Sequence, residues 1–156
     1  MTIEKNLIID RLTNLKLRVY PDPILLKACR PVEKIDDSVR KLAQDMAVFM
    51  TELKWGIPMG IAAPQVGSDL RIFVALGEVF INPEIVWVTK APKNTCHEGC
   101  YSRDENNFSY KVERAPSLLI RWQDLNGKSD ERRFNGLQAQ VIQHELDHLD
   151  GKLVGI

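Results

Sequence analysis

An α+β fold is predicted by three features of the 156-residue sequence. An apolar stripe with helical spacing lies in the first third. A second helical segment closes the chain. Between them run several short segments rich in β-branched, aromatic and aliphatic residues. The arrangement expected is mostly antiparallel sheets packed around the C-terminal helix, with an N-terminal helix beside them. The whole chain, 1–156, reads as one domain, since no internal repeat, low-complexity tract or linker interrupts it.

Residues 1–14 read as a short N-terminal extension before the turn cluster Tyr20-Pro21-Asp22-Pro23. Prolines 21, 23 and 31 keep that region irregular. From Asp36 to about Leu53, Val39, Leu42, Met46, Phe49, Met50 and Leu53 recur at spacings of three and four. That is an amphipathic helix packed on a core, with Asp36 or Asp37 as N-cap. Segments Arg71–Leu76, Phe80–Trp87 and Leu118–Trp122 read as strands. Asp124-Leu125-Asn126-Gly127 is a hairpin signal before a further strand near Asp130–Phe134. Gly136 precedes the last helix, Leu137–Leu149, which Gly151 ends.

Composition narrows the function. The 44% hydrophobic and 27% charged fractions are those of a folded globular domain, not a disordered one. Lys plus Arg equals Asp plus Glu at 21 each, so no broad attraction to nucleic acid or an anionic membrane is advertised. No apolar run approaches the roughly 20 residues of a membrane span. The N-terminus lacks a signal-peptide pattern, so a cytoplasmic location is expected. Three cysteines are too few for a disulfide framework. Cys29, in a proline-flanked segment, reads as a buried structural cysteine.

The chemistry is concentrated in the last helix, in His144-Glu145-Leu146-Asp147-His148. Positions i and i+4 share one helix face, so both imidazoles can reach one metal ion. Glu145 can orient a water beside that ion and take its proton. A catalytic site of this kind uses three protein ligands and an open position. In the extended pattern HExxHxxGxxH the chain matches through Gly151, but the next ligand position holds Val154. The third ligand must therefore lie upstream. Cys96-His97-Glu98-Gly99-Cys100 offers Cys96 and Cys100 as thiolate candidates, with His97 and distant carboxylates behind them. Two histidines and a thiolate form a borderline-soft set suited to Fe²⁺, Zn²⁺, Ni²⁺ or Co²⁺. Metal-assisted hydrolysis of a carbonyl compound follows as the reaction class.

Three segments, taken together and in this order, resemble the peptide deformylases. Gly60-Ile61-Ala62-Ala63-Pro64-Gln65-Val66-Gly67 is similar to their glycine-rich first motif. Glu98-Gly99-Cys100-Tyr101-Ser102 is similar to their Glu-Gly-Cys-Leu-Ser. Gln143-His144-Glu145-Leu146-Asp147-His148 matches their third motif. Tyr20-Pro21-Asp22-Pro23, Arg30-Pro31-Val32-Glu33 and Asp45-Met46 add to a likeness that covers about residues 15–154.

The resemblance implies removal of the formyl group from the N-terminal formyl-methionine of new polypeptides, with release of formate. It implies Cys100, His144 and His148 as ligands of one divalent ion per chain, Fe²⁺ foremost. Glu145 would be the general acid/base. The Gln65 amide and the Tyr101 backbone N–H would stabilise the oxyanion. Gly60 and Met59 would line the peptide, and Leu137 and Val141 the first side chain. Glu98 would pair with Arg114 to stiffen the Cys100 loop. Gln143 reads either as a surface amide or as part of the shell around the ligands. The expected partners are formylated nascent peptides, with transient proximity to the ribosome, no nucleic acid or membrane, and a monomeric chain.

The chain departs from the family pattern at several points. Pro58 replaces the first glycine of motif one, with Gly56-Ile57 just upstream as if inserted. Tyr101 replaces leucine. Arg103-Asp104-Glu105-Asn106-Asn107 stands where Val-Pro-Gly is usual. Gln140 takes a place where an apolar pocket residue is expected. The chain stops eight residues after His148, so no helix is expected beyond the one carrying the motif. Two rival readings follow. The first is a hydrolase of another N-acyl or formamide substrate. The second is a non-catalytic metal protein in which Cys96 or His97 closes the site.

Overall fold

The computed structural model describes residues 13–53, 59–103 and 109–156. Its first long element is α1, Asp37–Thr51, capped by the Asp36 carboxylate, which accepts from the Val39 N–H at 3.0 Å. Val39, Ala43, Met46, Phe49 and Met50 are the buried stripe. Among the described residues seven strands follow: β1 Gly60–Ala62, β2 Ile72–Ala75, β3 Glu78–Val88, β4 Asn94–Glu98, β5 Tyr110–Arg114, β6 Ser117–Gln123 and β7 Ser129–Asn135. Helix α2, Gly136–Leu149, closes the fold. The α+β expectation is met, with the HExxH motif on the C-terminal helix.

Five strands form one antiparallel sheet in the order β1-β2-β3-β6-β7, and β4-β5 form a separate hairpin. The sheet is sandwiched between the two helices. Side chains alternate faces along a strand, and the clusters they join follow that alternation. Ile61, Ile72, Val74 and Ile81 pack with Val39, Met46 and Phe49 of α1. Ala62, Phe73, Ala75 and Phe80 pack with Ala139, Ile142, Leu146 and Leu149 of α2. Phe73 and Phe80 are register partners whose rings stack at 4.6 Å, and Trp122 lies 4.6 Å from Phe80.

The strand expected over Phe80–Trp87 is longer and broken inside. Asn82 sits at φ 51, and the β3–β6 register shifts between Ile81 and Glu84. Pro83 has no N–H for the ladder, which favours this bulge. The Asn82 side chain then holds the Val32 backbone through both its oxygen and its nitrogen, at 2.8 Å each. The Asn126-Gly127 turn lies where expected, with Gly127 at φ 77. Helix α2 begins at Gly136 itself and ends before Gly151, at φ 72. A Cβ at Gly151 would meet the Leu26 carbonyl oxygen at 2.8 Å, so the helix end docks against the chain segment around Leu26.

Two elements have no clear apolar pattern. Strand β4 is mostly exposed and β1 is three residues long, whereas β5 alternates, with Tyr110 and Val112 packed against Leu25, Cys100, Leu153 and Val154. Pro58, Gly56 and Ile57, and the polar stretch after Arg103, lie outside the described residues, as does most of the 1–14 extension. No helix among the described residues is long and apolar enough to cross a membrane.

Candidate active site

The site is assembled by α2, by the chain just after β4, and by β1 with the short 3-10 helix Ala63–Val66. On α2, one turn of helix separates His144 from His148, and their rings meet edge to face at 4.9 Å. Cys100 follows β4 and is buried. Its Sγ lies 3.4 Å from His148 Nε2. Ligand atoms of Cys100, His144 and His148 all lie within 4.8 Å of one another. Cys96 and His97 are outside this group. Cys96 is on β4 with its sulfur 3.7 Å from the Asn94 carbonyl oxygen, and His97 is exposed at the cavity edge. The fourth protein ligand that would close a structural site is therefore not in the group.

A charged chain fixes the histidine nearest the surface. Glu98 accepts two bonds from Arg114, Nε to Oε1 and Nη2 to Oε2, both at 2.9 Å. It also accepts from His144 Nδ1 at 2.8 Å. An ionised carboxylate has no proton to donate, so Nδ1 carries the hydrogen and Nε2 is left as the donor atom for a cation. Arg114 reaches on to Asp147 of α2, and the Gln143 amide holds Ala115 through both its N–H and its carbonyl at 2.9 Å. Residues 114 and 115 thus grip α2 at two places one turn apart, beside the histidines.

Glu145 is 3% exposed, and its Oε2 has no hydrogen-bond partner. It rests against β1, where a Cβ on Gly60 would lie 2.5 Å from Glu145 Oε1. Only glycine leaves the carboxylate room. Gln65 is buried and oriented from both sides. Its Oε1 accepts from the Ala62 N–H at 2.9 Å, and its Nε2 donates to Ser102 Oγ at 3.2 Å. One amide hydrogen remains to point toward Cys100, 3.7 Å away. Tyr101 lines the same cavity and packs partly against the α1 side of the core.

Burial raises the Glu145 carboxyl to about 7, against the pull of His144. Burial also opposes charge on Glu98, but Arg114 and His144 outweigh it and bring Glu98 down to about 2. Burial disfavours a proton on either histidine. For His144 its neighbours Cys100, Glu98 and Glu145 more than compensate and raise its pKa, whereas His148 is lowered further by His144 and Arg114. A cation among these groups would repel the proton on His144.

The donor set suits a divalent ion. Two imidazoles and a thiol converge, and each imidazole can present a nitrogen. A cavity of about 500 Å³ opens beside them, walled by Met59, Tyr101, Leu137, Gln140 and Val141.

Residues 14–155 match the family model described as polypeptide deformylase. The chain belongs to the polypeptide deformylase family. Its activity is that of a peptide deformylase. It is 42% identical over 143 residues to the peptide deformylase of Dictyoglomus thermophilum, covering 89% of each chain. It is 40% identical over 146 residues to that of Bartonella quintana, covering 88% of this chain and 80% of that one. The crystal structure of peptide deformylase from Thermotoga maritima is similar at TM-score 0.82 and 36% identity, over 89% of this chain and 93% of that one. The actinonin-bound class I type b enzyme from Acinetobacter baumannii is similar at TM-score 0.80 and 32% identity, over 90% and 94% of the two chains.

Two residues of this deformylase escaped the reading of the sequence as individuals. Ser102 orients Gln65, and Asp147 anchors Arg114; both lie inside motifs already singled out. Asp147 stands three residues from His144 on the neighbouring helix row, which is the signal available for it.

Proposed function

We propose that this deformylase removes the N-formyl group from the formyl-methionine start of newly made polypeptides. The observation that carries this reading is the buried Glu145 carboxylate, its Oε2 unpartnered, beside three convergent ligand groups on one cavity. Cys100, His144 and His148 would hold one divalent ion, and the family resemblance puts Fe²⁺ first, with Zn²⁺, Ni²⁺ and Co²⁺ as alternatives. When bound, the ion supplies Lewis acidity toward the formyl oxygen and the attacking water.

The protein's own groups do the rest. Glu145, with its carboxyl raised to about 7, takes the proton from the attacking water and delivers it to the leaving amine. The C–N bond breaks, formate departs, and the peptide keeps a free N-terminus. The Gln65 amide and the Tyr101 backbone N–H donate to the oxygen that becomes negative during attack. Strand β1 lies at the edge of the five-stranded sheet, so the substrate backbone can add alongside Met59 and Gly60. Leu137 and Val141 wall the pocket for the first side chain. The Glu98–Arg114 pair keeps His144 aimed.

The setting that goes with this reading is a single catalytic domain, cytoplasmic and monomeric, meeting nascent chains near the ribosome without binding nucleic acid. The test is turnover of formyl-Met-Ala-Ser by protein purified without oxygen, with its metal content measured on the same sample. Formate release with about one divalent ion per chain is expected. Formyl-Met should exceed formyl-Gly peptides in kcat/KM by at least about tenfold, because burial of a thioether side chain is worth more than that factor. Acetyl-Met peptides turned over as fast as formyl-Met would establish a broader N-acyl hydrolase. A bound ion without turnover of any of them would establish a structural metal.

A further inference from the structure

The three glutamines around the site are not equivalent. Gln65 has its amide oxygen engaged by Ala62 and its nitrogen by Ser102 and, at longer range, Cys100. Gln143 has its oxygen and nitrogen committed to Ala115 and Ala139. Gln140 lines the cavity, and its amide makes no hydrogen bond to another described residue. A side-chain amide has two donors and an acceptor to satisfy. His97, Glu98 and Gln65 also line the cavity, but beside Met59, Tyr101, Leu137 and Val141 this amide selects for what enters.

Its place along α2 says which part of the substrate it meets. Gln140 precedes His144 by four residues, and Val141 precedes Glu145 by four. Four residues rise about 6 Å along a helix. The wall of the cavity therefore runs from the reacting centre to Gln140 and Val141, and then to Leu137. A first residue whose amide nitrogen sits at Glu145 places the end of an unbranched side chain at the level of Gln140.

We propose, building on the deformylase reading above, that Gln140 is a specificity-determining residue. Its amide extends the first-residue pocket to unbranched side chains that end in a hydrogen-bond acceptor, of which methionine sulfoxide is the probe. A thioether needs no partner and packs on Val141 and Leu137. A sulfoxide oxygen is a strong acceptor and is rejected by a wholly apolar wall, where it loses its water without replacement. Here the Gln140 amide N–H replaces that water.

The experiment compares formyl-Met and formyl-Met-sulfoxide peptides on the metal-loaded full chain, as the ratio of their kcat/KM values. The ratio cancels differences in the active fraction between variants. Oxidation of the substrate should cost the wild type no more than about tenfold. Gln140→Leu, and the isosteric Gln140→Glu, which sets acceptor against acceptor, should each lower the sulfoxide-to-thioether ratio by at least about tenfold further. His97→Ala, at the exposed edge of the cavity, should leave the ratio unmoved. A wild-type loss beyond a hundredfold overturns the proposal. So does an unchanged ratio in both Gln140 variants, or a ratio that follows His97 instead. If formyl-Met itself is not turned over, the deformylase reading fails first and this inference falls with it.

Discussion

The five-stranded sheet and the β4-β5 hairpin hold themselves together by opposite means. Every residue of β2 is buried, and the sheet carries an aromatic cluster of Phe73, Phe80, Trp122 and Phe134 between its strands and α2. The hairpin packs Tyr110 and Val112 only partly, on the small cluster of Leu25, Cys100, Leu153 and Val154, and the one residue it buries at the end of each strand is charged: Glu98 and Arg114. Their register partners are Tyr110 and Asn94, so this ion pair runs along the hairpin rather than across one rung. Apolar burial is roughly proportional to area and carries no direction, whereas a bidentate pair fixes angles. The sheet thus supplies stability, and the hairpin supplies aim. The site lies where they meet, with Gly60 from the sheet, Cys100 two residues after β4, and α2 touching both.

The largest effect should come from the residue at that junction. Glu145 rests on Gly60 yet stands outside the ligand cluster. Glu145→Ala should retain the metal and the fold while turnover falls by about 10²–10⁴, the usual worth of a positioned acid/base. Metal content and turnover measured on one preparation check this. Loss of the ion along with activity would instead make Glu145 a ligand.

Phe80→Ala tests the sheet. Removing a fully buried ring at the centre of the aromatic cluster should cost about 3–5 kcal/mol of stability. Thermal unfolding would show it as a large fall in Tm, while the affinity of the folded protein for its ion changes little. A variant that keeps its Tm but loses the ion would erase the division of labour drawn above.

The same division explains what could be read from the sequence. Helix α1, strand β6 and α2 are legible because burial imposes a period, as with Val39, Met46 and Phe49. Strand β2 shows instead as a short run buried throughout, and β7, exposed but for Phe134, is announced by the Asn126-Gly127 turn before it. The histidines were legible because one helix presents both, and Cys100 once its motif was recognised. The hairpin strand Asn94–Glu98 was not legible, since exposed strands owe nothing to apolar alternation. Nor was the close fit of Glu145 onto Gly60, which joins residues 85 positions apart through folding alone. The bulge at Asn82 had a local signal in the following proline, but its hold on Val32 did not.

Glu98→Ala tests the hairpin. It removes the acceptor that sets the His144 ring and leaves Arg114 with Asp147 as its remaining partner. Loss of such an outer partner typically weakens metal binding by about 10–100-fold. Competition with a chelator would measure it. The expectation is a clear drop in affinity with a smaller fall in Tm than Phe80→Ala produces. An unchanged affinity would mean that α2 alone aims His144.

Cys96→Ser should do almost nothing, and that is its use. Cys96 shares the hairpin strand with Glu98 and stands four residues before Cys100, so from spacing alone it was an equal candidate ligand. Its side chain is half-buried, its sulfur makes only a weak 3.7 Å approach to the Asn94 carbonyl among hydrogen bonds to described residues, and it lies outside the ligand cluster. A hydroxyl can accept or donate there as well as a thiol can, so stability should stay within about 0.5 kcal/mol of wild type. Metal content should not change. Cys100→Ser, by contrast, replaces a buried sulfur beside His148 with a poorer ligand for a borderline ion and should release or weaken it. The two variants differ by one sulfur on the same short segment, and metal analysis of both separates them. If Cys96→Ser empties the site and Cys100→Ser does not, the hairpin aims a different thiol than its geometry indicates.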